Sequence, residues 1–529
     1  MMGPILSSIH RVYVDLSAVI SELSHTKRSF DSLLARLSVV APPVPNPSKS
    51  YWQEDPPFPN LVGVQSPDLP RTADIVIIGS GISGASVAYT ILNQSQKRGI
   101  YPGIVVLEAR NLCSGATGRN GGHIKCSPYM EYARLKARFG MEHAKKLLNF
   151  QRRHLAVILD LVQQNEDLKI SEVREVQTVD SFTDEHIWNE AKKMVQELRE
   201  DAPDIAEDIV VHDGTEACEE FQIDPQYCYG IITYAAGALS PYRFVTGLYA
   251  SLLSTYSATF SIETNTPATD IQVNPGNPKR PFTVHTPRGK ITATHVVHAT
   301  DAFAASLLPG LKGKIFPVRG HMTAQEPGNL FPKLGGARSW SFIHRRGFDY
   351  ISQRPGTGEL MAGGGVVQSP EKGMDEFGIW RDDRSSYAIR AYLDGLLPTI
   401  FGAHNWGADM GARVKMAWTG CMGFTADLLP YVGVLDQKIT LRKIPIARSS
   451  KDAKQPAEWI SAGFQGEGMV LAWLSGVAVG LMLVGEEDEV FEMAPGIPGG
   501  KIADWLPEEF VCSKRRVDCS NASDLATLL

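Results

Sequence analysis

The sequence lacks three features that would place it in a specialised class. Its seven cysteines are irregularly spaced and none stands in a C-x-x-C step, so neither a disulfide framework nor a metal site is predicted. No apolar run reaches the roughly 18 residues that a membrane-spanning helix needs. Positive charge is not in excess, since 52 Lys and Arg face 58 Asp and Glu, which argues against nucleic acid or an anionic membrane as partner. We therefore expect reduced thiols and a cytoplasmic location, with the mitochondrion as the alternative.

The composition is that of an ordinary globular protein, with 43% hydrophobic and 21% charged residues. The 529 residues suit one large enzyme built from two or more domains. Apolar residues at helical spacing between Val12 and Leu37 predict a helix docked on the body, within an N-terminal extension of residues 1–40. The dense prolines of residues 41–70 predict an extended arm, because proline excludes helices and central strands.

A strand–turn–helix–strand pattern follows the arm. The apolar run Ala73–Ile78 predicts a parallel strand buried on both faces, Ile82–Gln96 predicts a helix, and Gly103–Ala109 predicts a second buried strand. The polar segment after Lys501 is expected to lie on the surface. Further helices are predicted at 132–168, 184–199 and 469–484, and further strands at 230–234, 283–286, 295–299, 348–353 and 360–362.

The first turn carries the pattern G-x-G-x-x-G. Gly79 permits a tight turn, Gly81 lets the backbone approach a pyrophosphate, and Gly84 lets the helix pack closely on the strand. Glu108 ends the second strand, where its carboxylate can accept hydrogen bonds from both ribose hydroxyls and disfavours a 2′-phosphate. We therefore predict a dinucleotide other than NADP; the alternative is a glycine turn in an unrelated α/β sheet. The turn residues assigned to this site are Gly79, Ser80, Gly81, Ile82, Ser83 and Gly84.

A long loop of glycines and hydroxyl side chains follows Glu108. NAD does not need such a loop, whereas FAD has a second, extended part that amides and small side chains must line. With His123 at its end, the loop resembles the D-amino-acid-oxidase-like (DAO) family of FAD oxidoreductases, in particular a fungal-type member of the sarcosine oxidase and γ-glutamylputrescine oxidase branch. The loop residues assigned to FAD are Ala109, Arg110, Ser114, Gly115, Ala116, Thr117, Arg119, Asn120, Gly121 and Gly122.

Further segments resemble the same family in the same order, so that the likeness covers roughly residues 70–485. They are Gly237–Arg243, Val296–Ala302, Trp418–Pro430 and Ala462–Met469. The resemblance implies an α/β fold, in which a Rossmann-like FAD-binding domain of the glutathione reductase type carries an inserted antiparallel-sheet substrate domain. The implied domains are 71–130, 225–310 and 415–486 for FAD, 131–224 and 311–414 for the substrate, and 487–529 for a tail. The implied additional FAD contacts are Ala268, Ala299, Thr300, Asp427, Gly463, Gly466, Glu467, Gly468 and Met469.

The glycine-rich segment that ends at Met469 also has a physical interpretation of its own. Its amides, and the positive end of the helix predicted to follow, would stabilise the negative charge of reduced flavin near N1 and the C2 carbonyl. The alternative is a helix N-terminus without a ligand.

The resemblance places the substrate on the antiparallel sheet above the flavin. Tyr350, Ser352 and Arg354 alternate along one predicted strand and so share a face, where Tyr350 could shape the pocket and Arg354 could bind a substrate carboxylate. Arg319 and His321 are alternative pocket residues. Any of these arginines could instead be solvated surface.

The glycine loop should bring Arg119 and His123 near the isoalloxazine ring. His123 is then either a base that titrates near neutrality or a hydrogen-bonded structural histidine. Cys421 is either a covalent flavin ligand or a buried thiol. A histidine linkage is not expected, because Gly118 and Arg119 stand where relatives have that histidine.

Two other positions depart from the family pattern. Relatives carry a lysine near flavin N5 that helps to activate oxygen, but the corresponding segment, Glu359–Gly364, has none. Met422 stands where many relatives have an arginine, which warns against assuming an amino-acid substrate.

Three functions follow. The first is oxidation of a C–N bond in a secondary amine, amino acid or polyamine derivative, with hydride transfer to flavin N5 and reoxidation by oxygen to give hydrogen peroxide, or by another acceptor. The second is a tailoring oxidation that cyclises a terpenoid or alkaloid in fungal natural-product synthesis. The third is a flavin-binding regulatory subunit without turnover.

Overall fold

The computed structural model describes residues 24, 26–214, 216–411, 413–444 and 454–523. Within the predicted leading helix, residues 26–37 are helical (α1), and Leu33 and Leu37 pack against Phe316 and Val318. This part of the helix therefore docks on the body of the protein. Residues 12–23 and 25 of the same prediction lie outside the described residues.

The first sheet is mostly parallel and contains the predicted strand–turn–helix–strand unit. Its strands are β1 (Thr72–Ile78), β2 (Ile104–Leu107), β7 (Phe260–Glu263), β8 (Asp270–Val273), β9 (Phe282–Thr286), β10 (Gly289–His298), β16 (Tyr431–Val434) and β17 (Ala457–Ala462). Their order is β16–β17–β10–β1–β2–β7; β16 is antiparallel to β17, and β8 and β9 extend β10 as an antiparallel pair. Val76 and Ile77 are fully buried, as expected for a central parallel strand.

Three helices cover this sheet: α2 (Ile82–Lys97), α7 (Pro241–Thr255) and α10 (Ala472–Leu483). Helix α10 begins three residues later than predicted, because Gly468–Val470 forms a 3-10 turn first. A Cβ atom on Gly476 would lie 2.8 Å from Cβ of Ser86, so α10 and α2 touch almost at their backbones.

The second sheet is mostly antiparallel, and among its described strands only the β4–β12 pair is parallel. Its strands are β3 (His123–Ile124), β4 (Arg174–Phe182), β5 (Val210–Asp213), β6 (Gly230–Ala238), β11 (Ile315–Gln325), β12 (Arg338–His344), β13 (Gly347–Gln353), β14 (Leu360–Gly363) and β15 (Val414–Thr425). Their order is β15–β11–β14–β13–β12–β4–β6–β3, with β5 paired to β6. The predicted combination of a parallel α/β unit with an antiparallel sheet is confirmed.

The two faces of the second sheet pack differently. One face packs on the core of the first sheet through Tyr234, Met322, Tyr350 and Trp418; we call it the inner face. The other face, with Trp340 and Ile351, is covered by α8 (Tyr387–Trp406).

The remaining helices are α3 (Pro128–Phe139), α4 (Met141–Gln163), α5 (Glu185–Asp201), α6 (Glu216–Glu220), α9 (Gln437–Thr440), α11 (Ile502–Trp505) and α12 (Lys514–Cys519). The single helix predicted over 132–168 is in fact α3 and α4, because Gly140 between them has a φ of 82° that ends the first helix. Asp184 begins α5 by accepting a hydrogen bond from the His186 amide (3.0 Å).

The C-terminal segment contradicts the expectation of a surface strap. Trp505 and Phe510 are buried, and the ring of Phe150 stacks on Trp505 with centroids 6.3 Å apart. The predicted FAD segments begin at residues 225 and 415, but β6 and β15 lie in the second sheet. Across the part of the chain that is described, no helix is both long and apolar enough to span a membrane.

Candidate active site

The glycine turn after β1 is packed so tightly that side chains cannot be added. Gly79 has a φ of 111°, and a Cβ atom there would lie 2.3 Å from the carbonyl oxygen of Ala299. A Cβ atom on Gly84 would lie 2.1 Å from the Gly79 carbonyl oxygen. Both contacts are far inside van der Waals distance, so the turn requires glycine for backbone reasons alone.

Glu108 holds this turn from the end of β2. Its Oε2 accepts hydrogen bonds from the Ser80 hydroxyl (2.6 Å) and amide (3.2 Å), and its Oε1 accepts one from the Arg110 amide (2.9 Å). The Ile82 amide at the start of α2 donates to Thr117 Oγ1 (3.0 Å). The turn and the loop after Glu108 therefore form one connected unit.

Two buried hydroxyls flank this unit, one in the loop that follows β2 and one just after β10. Ser114 Oγ and Thr300 Oγ1 have no hydrogen-bond partner among the described residues. Orphaned buried hydroxyls are costly, and their position on either side of the glycine turn fits a dinucleotide whose phosphates and ribose need donors there. The residues present thus fit the predicted FAD.

A buried ion cluster lies behind the loop. Asp382 binds Arg110 Nη1 through both carboxylate oxygens (3.1 and 3.0 Å) and lies 3.6 Å from Arg119 Nε. Arg119 also donates to the carbonyl oxygens of Ser114 (2.8 Å) and Thr419 (2.6 Å). Burial lowers the pKa of Arg119 to about 10. We call Asp382, Arg110, Arg119, Ser48 and Thr419 the Asp382 cluster.

The proline-rich arm runs across the same loop. Ser48 accepts a hydrogen bond from Arg119 Nη2 at its carbonyl oxygen (2.5 Å), and its hydroxyl donates to the Asp382 carbonyl oxygen (2.7 Å). The Ser50 hydroxyl donates to Gly118 (2.6 Å), and the Trp52 indole donates to Asn120 (2.6 Å). The composition of the arm predicted an extended form, but the arm contains 3-10 turns at Tyr51–Gln53 and Pro59–Leu61. The composition gave no sign of these contacts.

The turn at Gly463 is fixed by Asp301, which the sequence reasoning missed. The Asp301 carboxylate accepts hydrogen bonds from the amides of Gly423 (2.7 Å) and Gly463 (2.8 Å). Burial raises its pKa, although these amide hydrogen bonds act in the opposite direction. Asp301 therefore ties the turn after β10 to the glycine-rich segment before α10.

The remaining predicted FAD contacts are spread more widely. Asp427 forms a two-point ion pair with Arg516 of the C-terminal segment (2.7 and 3.0 Å). Ala268 packs on a cluster between β1 and β9. Met469 is buried, while Glu467 lines a cleft of about 180 Å³ behind the turn. Burial and the charge of Glu131 raise the pKa of Glu467 to about 8.

His123 and Tyr350 meet on the inner face. Their rings stack with centroids 6.2 Å apart, His123 Nε2 lies 2.9 Å from Ser339 Oγ, and the Gly121 amide donates to the Tyr350 hydroxyl (3.3 Å). Burial, helped by the charges of Lys125 and Arg174, holds the pKa of His123 well below its usual 6.5. The imidazole is therefore neutral at physiological pH, which argues against the predicted base titrating near neutrality.

The other candidate pocket residues have partners. Arg319 binds Glu376 through Nε (2.6 Å) and Nη2 (3.0 Å). Arg354 binds Glu172 (2.7 Å) and donates to the Tyr51 hydroxyl of the arm (3.1 Å). Both guanidinium groups are thus already neutralised by carboxylates.

Further predicted residues lie close to these arginines. His321 is buried and accepts a hydrogen bond from the Ser386 amide (3.1 Å). Ser352 points to the inner face as predicted and donates to the Gly121 carbonyl oxygen (2.8 Å). The Cys421 thiol lies 3.6 Å from the Ile379 carbonyl oxygen, and burial raises its pKa.

A polar network that the sequence reasoning did not find lies beside His123. The Lys125 ammonium donates to Asp180 and to the Ser341 hydroxyl (2.6 Å). Asp180 also accepts hydrogen bonds from the hydroxyls of Tyr129 (2.8 Å) and Tyr234 (2.7 Å). The signal available in the sequence was Lys125 itself, a basic residue two positions after His123 and directly after β3.

Comparisons with known proteins agree with this geometry. A sequence model described as DAO, FAD dependent oxidoreductase, matches residues 74–480. The fold is similar to glycine oxidase from Geobacillus kaustophilus (18% identity, TM-score 0.58, covering 80% of this chain and 98% of that one). It is also similar to iminodiacetate oxidase from Chelativorans sp. BNC1 (16% identity, TM-score 0.57, covering 79% of this chain and 97% of that one). A third similar structure is FAD-bound L-α-glycerophosphate oxidase from Mycoplasma pneumoniae (15% identity, TM-score 0.51, covering 78% of this chain and 95% of that one). At these identities the likeness shows the fold, and no curated protein matches the sequence.

Proposed function

Because the chain belongs to the DAO family of FAD-dependent oxidoreductases, we propose that it oxidises a C–N bond of a secondary amine, amino acid or polyamine derivative. FAD supplies the redox chemistry when bound, by accepting hydride at N5 and passing electrons to oxygen or another acceptor. We assign it to the Gly79–Gly84 turn, Glu108, the Ser114–Gly122 loop, Thr300 and the Gly463–Met469 segment. We place the protein nearest the sarcosine oxidase and γ-glutamylputrescine oxidase branch.

The environment of His123 is the observation that carries this proposal. Desolvation and the charges of Lys125 and Arg174 keep the imidazole uncharged. Desolvation, the largest of these influences, also acts on a substrate amine bound beside the ring and favours its neutral form. A neutral nitrogen is needed because its lone pair stabilises the neighbouring carbon as hydride leaves. Tyr350 and His123 then orient the substrate, with His123 held by Ser339.

The ion pairs of Arg319 and Arg354 favour a second candidate. With the guanidinium groups of Arg319 and Arg354 paired to Glu376 and Glu172, their charges are already compensated, which disfavours binding of an α-carboxylate. A lipophilic substrate without a carboxylate would suit this pocket, as in tailoring oxidations of terpenoids or alkaloids.

All seven cysteines are free, which supports a reducing compartment, and we propose the cytoplasm or the mitochondrion.

Anaerobic reduction of the bound flavin tests these proposals. Purified holoprotein is mixed with N-methylglycine, a γ-glutamyl amine and N-methylethylamine, and the flavin absorbance is followed. Bleaching by any of the three, with peroxide formed when air is readmitted, supports C–N oxidation. If the amines leave the spectrum unchanged while a polycyclic lipophilic alkene or alkaloid bleaches it, the tailoring function replaces the first proposal.

A further inference from the structure

The polar network around Lys125 lies in the same transverse row of the inner face as Tyr350. In the strand register, Tyr350 of β13 is opposite Ser341 of β12, and Ser341 is opposite Asp180 of β4. Adjacent strands are about 4.8 Å apart, so Asp180 lies roughly 10 Å from the strand of Tyr350, and the Lys125 ammonium is bound between Asp180 and Ser341 of the intervening strand. The network thus lies on the inner face within two strands of Tyr350.

Lys125 keeps one donor available. An ammonium group has three N–H bonds, and those it forms within the described chain go to Asp180 and Ser341. Asp180 is fully buried, whereas 11% of the Lys125 side chain is exposed. Two tyrosine hydroxyls hold the carboxylate in place, and the ring of Tyr234 lies 5.6 Å from the Lys125 nitrogen. The cation is therefore rigidly held, with one donor left over.

A second observation points to a ligand at the same place. Thr178 precedes Asp180 by two residues on β4, so it shares the inner face, and it is opposite Ser339, the partner of His123. Its hydroxyl is fully buried and has no hydrogen-bond partner in the described part of the chain. Buried hydroxyls normally have partners, so this one has an unmet hydrogen bond beside the Lys125 network.

A purely structural role explains these facts less well. A buried ion pair adds little net stability over apolar side chains of similar volume, because desolvation offsets the attraction. Here the pair is surrounded by three hydroxyl groups and lies on the face that covers the predicted flavin site. The desolvation penalty of the Lys125–Asp180 pair is explained if these polar groups bind a ligand.

Building on the proposed function, we propose that Lys125 and Thr178 form a second subsite that binds a hydrogen-bond-accepting oxygen of the substrate, on the inner face within two strands of Tyr350. Asp180, Tyr129 and Tyr234 are positioning residues that hold the Lys125 ammonium. The occupant is the oxygen of a carboxylate or of an amide at the far end of an amine substrate.

The test uses three amines that differ only at the far end. They are N-methyl-6-aminohexanoate, its amide, and N-methylhexylamine, which has no oxygen. In the wild-type holoprotein, the two oxygen-bearing amines should reduce the flavin at lower half-saturating concentrations than N-methylhexylamine. Lys125→Met should raise those concentrations roughly 10- to 100-fold, as expected for loss of a charge-assisted hydrogen bond, and leave the limiting rate within about threefold. N-methylhexylamine should be unaffected.

Controls separate binding from folding. Lys125→Arg should restore most of the affinity. If Lys125→Met does not fold, the double variant Lys125→Met/Asp180→Asn replaces it, because it does not leave the Asp180 carboxylate buried without a partner. Lys136→Met is the matched control, because Lys136 also donates to two acidic side chains, Glu197 and Asp201, but lies on α3 and away from the inner face. If Lys125→Met loses affinity for the carboxylate compound alone, the subsite binds a charged group. If it loses affinity for both the carboxylate and the amide, the subsite binds any acceptor oxygen.

Failure of the subsite and failure of the proposed function give different results. Hexanoate and hexanamide cannot be oxidised at nitrogen, and their binding is read from the shift of the flavin absorbance bands. If no amine reduces the wild-type flavin, C–N oxidation is wrong, but a Lys125-dependent shift with hexanoate still supports the subsite. Equal affinities of folded, FAD-loaded wild type and Lys125 variants for the oxygen-bearing compounds would overturn it.

Discussion

Replacing Asp382 by alanine should be among the most damaging single changes outside the apolar core. Asp382 is 1% exposed, and its carboxylate neutralises Arg110 and Arg119, whose side chains are 6% and 1% exposed. Removing the acid leaves two guanidinium groups buried without a counter-charge. Breaking a buried pair in this way costs about 3–5 kcal/mol. We therefore expect a loss of this size in the free energy of unfolding.

The assay is urea unfolding followed by tryptophan fluorescence, together with release of FAD into a filtrate. Asp382→Ala should lower the unfolding midpoint and also speed FAD release, because Arg110 and Arg119 belong to the loop assigned to the cofactor. Asp383→Ala is the matched control: the adjacent carboxylate pairs with Arg381, which is 41% exposed, so no measurable loss is expected. If Asp382→Ala is within about 1 kcal/mol of wild type, the argument from buried charge is wrong.

Other predictions concern the cofactor and pH. Glu108→Ala should weaken FAD retention by about 10- to 100-fold, and Glu108→Gln should have an intermediate effect. Unchanged retention of FAD in a filtration assay would refute the placement of Glu108 at the ribose. The pKa of Glu467 is raised from 4.5 to about 8, so the unfolded state binds fewer protons than the folded state between these pH values. The free energy of unfolding of the wild type should therefore fall relative to that of Glu467→Gln as pH rises from 4.5 to 8. Parallel pH profiles of the two proteins would contradict this. We predict non-covalent FAD, because burial raises the pKa of the Cys421 thiol and so disfavours the reactive thiolate. Acid precipitation should therefore release all flavin into the supernatant, and a yellow pellet would disprove it.

Much of the cofactor half of the fold could be predicted because its signals are local. The sequence places a continuous apolar run, three glycines and an acid within 40 residues, and each has its physical reason in the structure. Gly79 and Gly84 pack against carbonyl oxygens, and Glu108, which was predicted to bind the ribose, accepts a hydrogen bond from Ser80 of the turn. The break at Gly140 was missed because helical spacing continues on both sides of it.

The inner face could not be predicted because its contacts join distant parts of the chain. Lys125 meets Ser341 only through the order of strands in the second sheet, and Arg354 meets Tyr51 through the path of the arm. The sequence shows that an arginine stands on a strand, but not whether a carboxylate from elsewhere already binds it. Burial of Trp505 and Phe510 was likewise hidden by the polar residues around them.

The path of the arm also constrains the order in which the protein can be completed. Ser48 is made early, yet its partners Asp382 and Thr419 follow it by 334 and 371 residues. While the ribosome is still synthesising the middle of the chain, Ser48 has neither of these partners, although Gly118 and Asn120, which bind Ser50 and Trp52, are only 68 residues away from them. The Ser48 end of the arm can therefore settle only after most of the polypeptide has emerged, which makes it one of the last parts of the molecule to close.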